Sequence, residues 1–518
     1  MSKSLFPLYF LLLIGIVGGL EAQNYEIDWG PVFKNPGKAI YYFESLGMDD
    51  QHYYLLSGHR KQSTILTFDF NHQLIRSEET GFGLPHRPDY RKYLLHTPDG
   101  AIAYFTGVKR YTYGVELWAS NFTAGQLSEP RLLVKHRFED LMAFNGFSPG
   151  FNGAYDEVHQ PNQQLLLSPD GQKLASVVPY AIQDLKGTKQ KVMLHIFDRD
   201  YNLLWEKKQV LPYAYREVYI EQALISDAGE VFLLARKHLP KKVKKKQDLI
   251  IDFSYLIFRI GEEELLEYPI ELGPTAFATD AGMFFPKDRK GEFLVAGLYT
   301  SNRKEESLSG IFLSRGTTSA ADGTPANQLL PFNERERITM NQFDRDKDAD
   351  RNFIFRIRDL VEFDDGAFAL LASNDLPYFR YTTGSDGSAS GTYQYYGAAD
   401  LALICFDQTG NLITIPTIER SPAISDKKAQ ILSKRNNKLY LTYNCLAPTG
   451  LKRRNKQYNY ASRLAVFNSS GKLESDTELY NDSEVMLQSN LASTTEQAML
   501  LCRPVGRKEY SFGLLKLH

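Results

Sequence analysis

A chain of 518 residues with 43% hydrophobic and 24% charged positions has the make-up of a globular protein able to bury a large core. Its formal net charge of −2 excludes a uniformly basic nucleic-acid binder. No Walker loop, dinucleotide fingerprint, His-Glu-x-x-His helix or paired Cys-x-x-Cys is present, so neither catalysis nor a metal centre is signalled by motif.

The first element predicted is a signal peptide over 1–22. Lys3 forms a short positive region, Leu5 to Leu20 an apolar run, and Leu20-Glu21-Ala22 a cleavage signal ahead of Gln23. The run contains Pro7 and is shorter than the ~20 residues of a spanning helix, so an uncleaved anchor is the weaker alternative. The expectation is an exported protein, periplasmic or secreted, with no stable membrane span over 23–518 and most simply a monomer.

From there the chain reads as strands separated by a recurring turn. Thr97-Pro98-Asp99-Gly100, Ser168-Pro169-Asp170-Gly171, Asp227-Ala228-Gly229, Asp364-Asp365-Gly366, Asp407-Gln408-Thr409-Gly410 and Asn468-Ser469-Ser470-Gly471 each join alternating apolar runs. Asp-Gly and Asn/Ser-Gly pairs supply the positive φ that tight hairpins need. The 31 Tyr and 32 Phe suit strands equally well. Tight turns between strands A and B fall near 49–50, 99–100, 170–171, 228–229, 288–291, 365–366, 436–437 and 494–495. Turns between C and D fall near 71–72, 123–125, 200–202, 261–263, 316–323, 408–410 and 469–471.

The second series is one short. After Met499–Leu501 and Ser511–Leu517 the chain ends without an outermost strand, while Tyr25–Trp29 stands unassigned ahead of the first unit. If that segment completes the last unit, no sheet edge stays open. The predicted fold class is therefore all-β: a single β-propeller of eight four-stranded blades closed by its N-terminal strand. Seven blades is the alternative if the fifth unit is irregular, and paired β-sandwiches are the rival architecture. The stretches 165–175 and 93–103, built on Ser-Pro-Asp-Gly and Thr-Pro-Asp-Gly, resemble the repeats of TolB-like and other WD40-like propellers. That resemblance covers two units and implies the fold alone.

Antiparallel order puts A–B and C–D turns on one face and B–C and D–A connections on the other. The second set holds the long insertions: His136–Pro161, Pro179–Gln190, Arg236–Gln247, Phe332–Asn352, Asn374–Ala399 and Ala447–Ser462. Long connections on a rigid scaffold are where binding usually sits. Arg236, Lys237, Arg303 and Arg503 are among the cations that suggest a basic rim there, and tyrosines interleave with them. The candidate ligand-binding residues are Arg110, Tyr111, Tyr155, Arg380, Tyr381, Arg453, Arg454 and Tyr458, since tyrosine gives a rigid face plus one hydroxyl. No catalytic residue is assigned and no cofactor expected. Asp344, Asp346, Asp348 and Asp350 alternate as in a calcium loop, but Ala349 and Phe355 stand where its glycine and bidentate glutamate belong. Cys405, Cys445 and Cys502 read as buried small hydrophobes, with a Cys445–Cys502 bridge as the alternative. The functional expectation is an exported, non-catalytic propeller that binds an envelope protein or an anionic glycan, not nucleic acid. A carbohydrate hydrolase or lyase is the alternative.

Overall fold

The computed structural model describes residues 25–34, 42–59, 62–80, 90–97, 100–109, 114–123, 125–137, 164–180, 189–214, 217–239, 251–286, 289–304, 307–318, 325–342, 354–383, 389–418, 430–446, 460–482, 493–494, 498–506 and 509–517. The described strands form eight antiparallel sheets, and in all but the last the strands follow chain order. We number them sheets 1 to 8 from Tyr42–Thr80 (sheet 1) to the C-terminal sheet. Outer strands such as Leu203–Ala214 and Ala326–Pro331 alternate exposed with half-buried residues, whereas second and third strands are buried along most of their length. First strands of neighbouring sheets approach one another, which sets them around the centre. This is a β-propeller.

The ring is closed by the N-terminal segment. Strand β1 (Tyr25–Trp29) pairs antiparallel with Glu509–Leu517, from Tyr25 opposite Leu517 to Trp29 opposite Gly513. It is the outermost strand of sheet 8, beside 509–517, 498–506 and 493–494. Phe33–Lys34 extends the closure by pairing with Tyr510 and Glu509. Buried apolar side chains among the described residues group into eight clusters, each bridging two neighbouring sheets. Sheets 7 and 8 share Tyr440, Val466, Met499 and Leu515, against which Ile27 and Trp29 of β1 pack. Sheets 8 and 1 share an aromatic core: Tyr53 stacks on Phe68 at 5.0 Å, and Phe68 meets Phe512 at 5.4 Å and Phe33 at 5.3 Å. Each fully buried Phe contributes roughly 1.5–3 kcal/mol, so the seam where the two chain ends meet is packed like any other.

The turns explain the regularity. In four sheets the C–D turn is an Asx turn: the side chain of Asp69, Asp198, Asp407 or Asn468 accepts the backbone N–H groups two and four residues on. The residue three on has positive φ, with His72 at 61°, Tyr201 at 65°, Gly410 at 89° and Gly471 at 76°. A buried Phe precedes three of the acceptors Asp69, Asp198, Asp407 and Asn468 as Phe68, Phe197 and Phe406, and the fourth as Phe467. The A–B turn of sheet 7 uses Asn436 and Asn437, at φ 50° and 55°, the two-residue turn that matches strand twist.

One local expectation holds and two are corrected. The three cysteines are buried and form no disulfide, as small hydrophobes of the core. Cys445 lies in the core between sheets 6 and 7 and Cys502 in the core between sheets 8 and 1, so different interfaces separate them. The connection 332–352 is not wholly a loop: Glu334–Gln342 is a helix, α1. Of the connection Asn374–Ala399, residues 374–383 and 389–399 are not loop either, because Phe368–Thr383 and Ala389–Phe406 continue there as paired strands.

Candidate functional site

Hydrogen bonds between connections sort them into two faces. On the tight-turn face, Asp170 N–H donates to Asp227 Oδ1 at 2.9 Å, linking the A–B turns of sheets 3 and 4. Ser469 Oγ donates to Asp365 Oδ2 at 2.6 Å, linking the C–D turn of sheet 7 to the A–B turn of sheet 6. On the opposite face, Arg303 Nη1 donates to the carbonyls of Ile251 and Phe253, each at 2.9 Å, joining the B–C connections of sheets 5 and 4. Helix α1 is also held there. Asn333 Oδ1 accepts from Glu336 N–H and Glu336 Oε2 from Asn333 N–H, a reciprocal capping box, and Asn341 bonds both backbone groups of Leu308. Met340 is buried beneath it. Among the described residues, the B–C connections of sheets 4 and 5 and helix α1 meet on one face, while 138–163, 181–188, 240–250, 343–353 and 447–459 lie outside the described residues.

The B–C connection of sheet 6 on that face is a ribbon. Its register runs from Asp375 opposite Ala398 to Thr383 opposite Ala389, with a bulge between Ser373 and Asp375 where it leaves the sheet. The first strand of sheet 6 starts at Ile354, opposite Asp375, and the outer strand pairs no further than Leu401 with Ile418. Beyond those points the ribbon is two-stranded, with no third strand among the described residues. Arg380 stands opposite Tyr393, Tyr381 opposite Thr392, and Tyr378 opposite Tyr395.

A second constellation lies on the first strands of sheets 4, 5 and 6. Each carries a β-bulge, skipping Glu221, Thr279 and Arg358 respectively. Bulges re-aim side chains, and here they assemble an ionic cluster. Arg236 Nε lies 2.6 Å from Glu221 Oε1 and its Nη2 3.6 Å from Asp280 Oδ1. Tyr255 accepts from Arg236 Nε and donates to Glu221 Oε2, both at 2.9 Å. Asp280 Oδ2 accepts Ile357 N–H of the next sheet at 2.7 Å, as Gln222 one sheet earlier bonds both backbone groups of Met283. Burial holds the Asp280 carboxyl up at about 6, against the pull of Arg356 and Arg236. Glu221 and Asp280 are engaged by Arg236, Tyr255 and backbone, which ties three sheets together.

Four cations of the expected basic rim are engaged within the fold, while those at 60–61, 110, 186, 241–246, 452–456 and 507–508 lie outside the described residues. Arg236 is committed to Glu221 and Asp280, Arg303 to two carbonyls, and Arg503 lies 4.3 Å over the Trp29 ring. Lys237 Nζ donates to Tyr213 Oη and sits over its ring. A residue count cannot distinguish a cation that greets a ligand from one that fastens a loop.

Of the candidate residues, Arg380 and Tyr381 lie on the ribbon strand. Arg110, Tyr111, Tyr155, Arg453, Arg454 and Tyr458 lie outside the described residues, as do Asp344, Asp346, Asp348 and Asp350 and the segment 1–22. Among the described residues no group of three His, Cys, Asp or Glu is placed to hold a metal, and no helix is long and apolar enough to cross a membrane. The ionic cluster escaped sequence reading because its members come from three units, although the ribbon's tyrosines were visible.

No family model matches the chain, and no curated protein matches it. Several solved structures are similar to it at low identity. Prolyl oligopeptidase B from Galerina marginata has 9% identity and a TM-score of 0.39, over 93% of this chain and 55% of that one. The β-propeller domain of the Trilobed protease from Pyrococcus furiosus has 10% identity and a TM-score of 0.34, over 84% and 98%. The WD40 domain of SCAP from fission yeast has 8% identity and a TM-score of 0.37, over 95% and 98%. This chain spans 55% of the oligopeptidase's length. At such identities no functional residue transfers.

Proposed function

We propose that this protein is an exported, non-catalytic β-propeller whose long-connection face binds a protein of the cell envelope. The observation that carries the reading is the ribbon over 375–398, which leaves sheet 6 with both edges unpaired among the described residues. A two-stranded ribbon is marginal in water, and unpaired edges invite another chain, by strand addition or by contact with its rings. The residues Pro377, Tyr378, Phe379, Arg380, Tyr381, Tyr393, Tyr395 and Tyr396 give it the composition of a protein-binding surface. An anionic glycan is the less favoured ligand, because Arg236, Arg303 and Arg503 are spent on internal contacts.

Replacing 375–398 by an Asn-Gly turn tests this. The shortened protein is expected to keep its melting temperature within about 2 °C, since the ribbon pairs only with itself beyond the four-stranded part of sheet 6. It should lose retention of an envelope protein that the full chain captures from envelope extract, whereas an anionic polysaccharide column should not distinguish the two. Equal capture by both proteins contradicts the reading, and loss confined to the polysaccharide column moves it to the glycan.

A further inference from the structure

The two edges of the ribbon over 375–398 are not equivalent. Within an unbroken register, Pro377 stands opposite Tyr396. Proline has no N–H for the ladder, so it sits where the backbone groups of a pair point away from the partner strand. Outward and inward pairs alternate along an antiparallel ladder, which fixes the phase of the ribbon. The outward backbone groups are those of Asp375, Pro377, Phe379 and Tyr381 on one edge, and of Thr392, Gln394, Tyr396 and Ala398 on the other. Leu403 gives the same phase independently. Its N–H donates to Pro416 O at 2.9 Å, on the side of the outer strand. Leu401 faces that side too, and the bulge, which sets Leu401 opposite Ser373 but Ala398 opposite Asp375, brings Ala398 to it as well.

One of these edges is guarded and the other is not. Folded proteins protect exposed edges with proline, charge, a bulge or a covering segment. The strand over 375–382 holds Asp375, Pro377 and Arg380, and Pro377 deletes a donor from its outward row. The strand over 389–398 reads Ala-Ser-Gly-Thr-Tyr-Gln-Tyr-Tyr-Gly-Ala, with neither proline nor a charged residue. Its outward row is complete, with an N–H and a C=O at every second residue. The same edge, further along sheet 6, is where Thr417–Ile418 pairs with Ala402 and Leu401. On the ribbon side of Leu401 no strand among the described residues pairs with it.

We propose that the envelope protein bound by this face contributes an extended strand, which pairs with the Thr392–Ala398 edge and makes the ribbon three-stranded. The inference rests on the ribbon being the binding element, and adds which edge is used and by what bonds. Donors and acceptors repeating every ~7 Å along an edge are matched in phase by another extended backbone. A third strand also supplies the stability that a two-stranded ribbon lacks in water. Main-chain bonds of this kind give affinity with little demand on the partner's sequence.

Residue-resolved amide hydrogen exchange of the full-length protein, alone and loaded from envelope extract, tests this. Loading is expected to slow the amides of Thr392, Gln394, Tyr396 and Ala398 by about tenfold or more, and to leave those of Asp375, Phe379 and Tyr381 unchanged. Gln394→Pro removes one outward donor without touching the ribbon's own bonds, and should lower retention by about tenfold. Phe379→Pro does the same to the guarded edge and should retain as the wild type does. Should Gln394→Pro fail to fold, the exchange pattern of the wild type decides alone. Protection of the 375–381 edge, or retention with neither edge protected, overturns the proposal. If retention without protection disappears when 375–398 is removed, ring contact is the mode and the function proposed above still stands. Retention that survives the removal, or no retention by the full chain, ends both. Protection of 392–398 that grows with protein concentration in the absence of extract gives the edge to a second copy of this chain, and overturns the proposal too.

Discussion

Asp280 sits 5% exposed between Arg236 and the backbone of the next sheet, and burial outweighs its ion pair. Its carboxyl titrates at about 6 in the folded protein and near 4 in an unfolded chain. The native state therefore holds this proton more tightly. The stability it contributes is complete below pH ~4 and lost as pH rises through 6, on the order of 3 kcal/mol in all. Chemical denaturation of the wild type and Asp280→Asn at intervals from pH 4 to 7 checks this. The wild type should lose stability relative to the variant as pH rises, and parallel curves would contradict the assignment. None of this was readable in the sequence, where Asp280 and Arg236 stand in different repeats and only a shared interface makes them neighbours.

At the scale of elements the turns were the most legible part of the chain. Gly171, Gly229, Gly366, Gly410 and Gly471 all adopt the positive φ that their Asp, Asn or Ser neighbours announce. In sheets 1 and 3 the turns at 71–72 and 200–202 were legible without a glycine, whose position His72 and Tyr201 occupy. Each accepts left-handed geometry and gains a contact: His72 with Tyr53 Oη and Asp28 O, Tyr201 with Asn121 Oδ1. Gly471 has no such latitude, since a Cβ there would lie 2.5 Å from Cys405 Sγ. Gly471→Ala is expected to cost about 2 kcal/mol or more, from left-handed strain and overpacking together, measured by urea unfolding. A loss below about 0.5 kcal/mol would show that the two turns do not touch. The ribbon and α1 were missed for different reasons. The Gly, Ser and Thr residues of 382–392 carry the composition of a loop although the ladder continues beside them. Helix α1 announces itself only through Asn333 and Glu336, three residues apart, a capping signal easily lost in a charged stretch.

For the molecule as a whole, local turn chemistry repeated along the chain determines the number of sheets, but only pairing between its ends makes a ring. Every pair of neighbouring sheets shares a core because β1 supplies the strand that sheet 8 lacks, and the proposed ribbon site presupposes that rigidity. Opening the seam would expose the 509–517 edge and the aromatic core of Tyr53, Phe68 and Phe512 to solvent. Native-state amide hydrogen exchange tests the closure most directly. The amides of Tyr25–Trp29 that pair with Gly513–Leu517 should exchange as slowly as those of their partners and be released together with them as denaturant is raised. Exchange of Tyr25–Trp29 at unprotected rates, with 509–517 still protected, would contradict the closed ring.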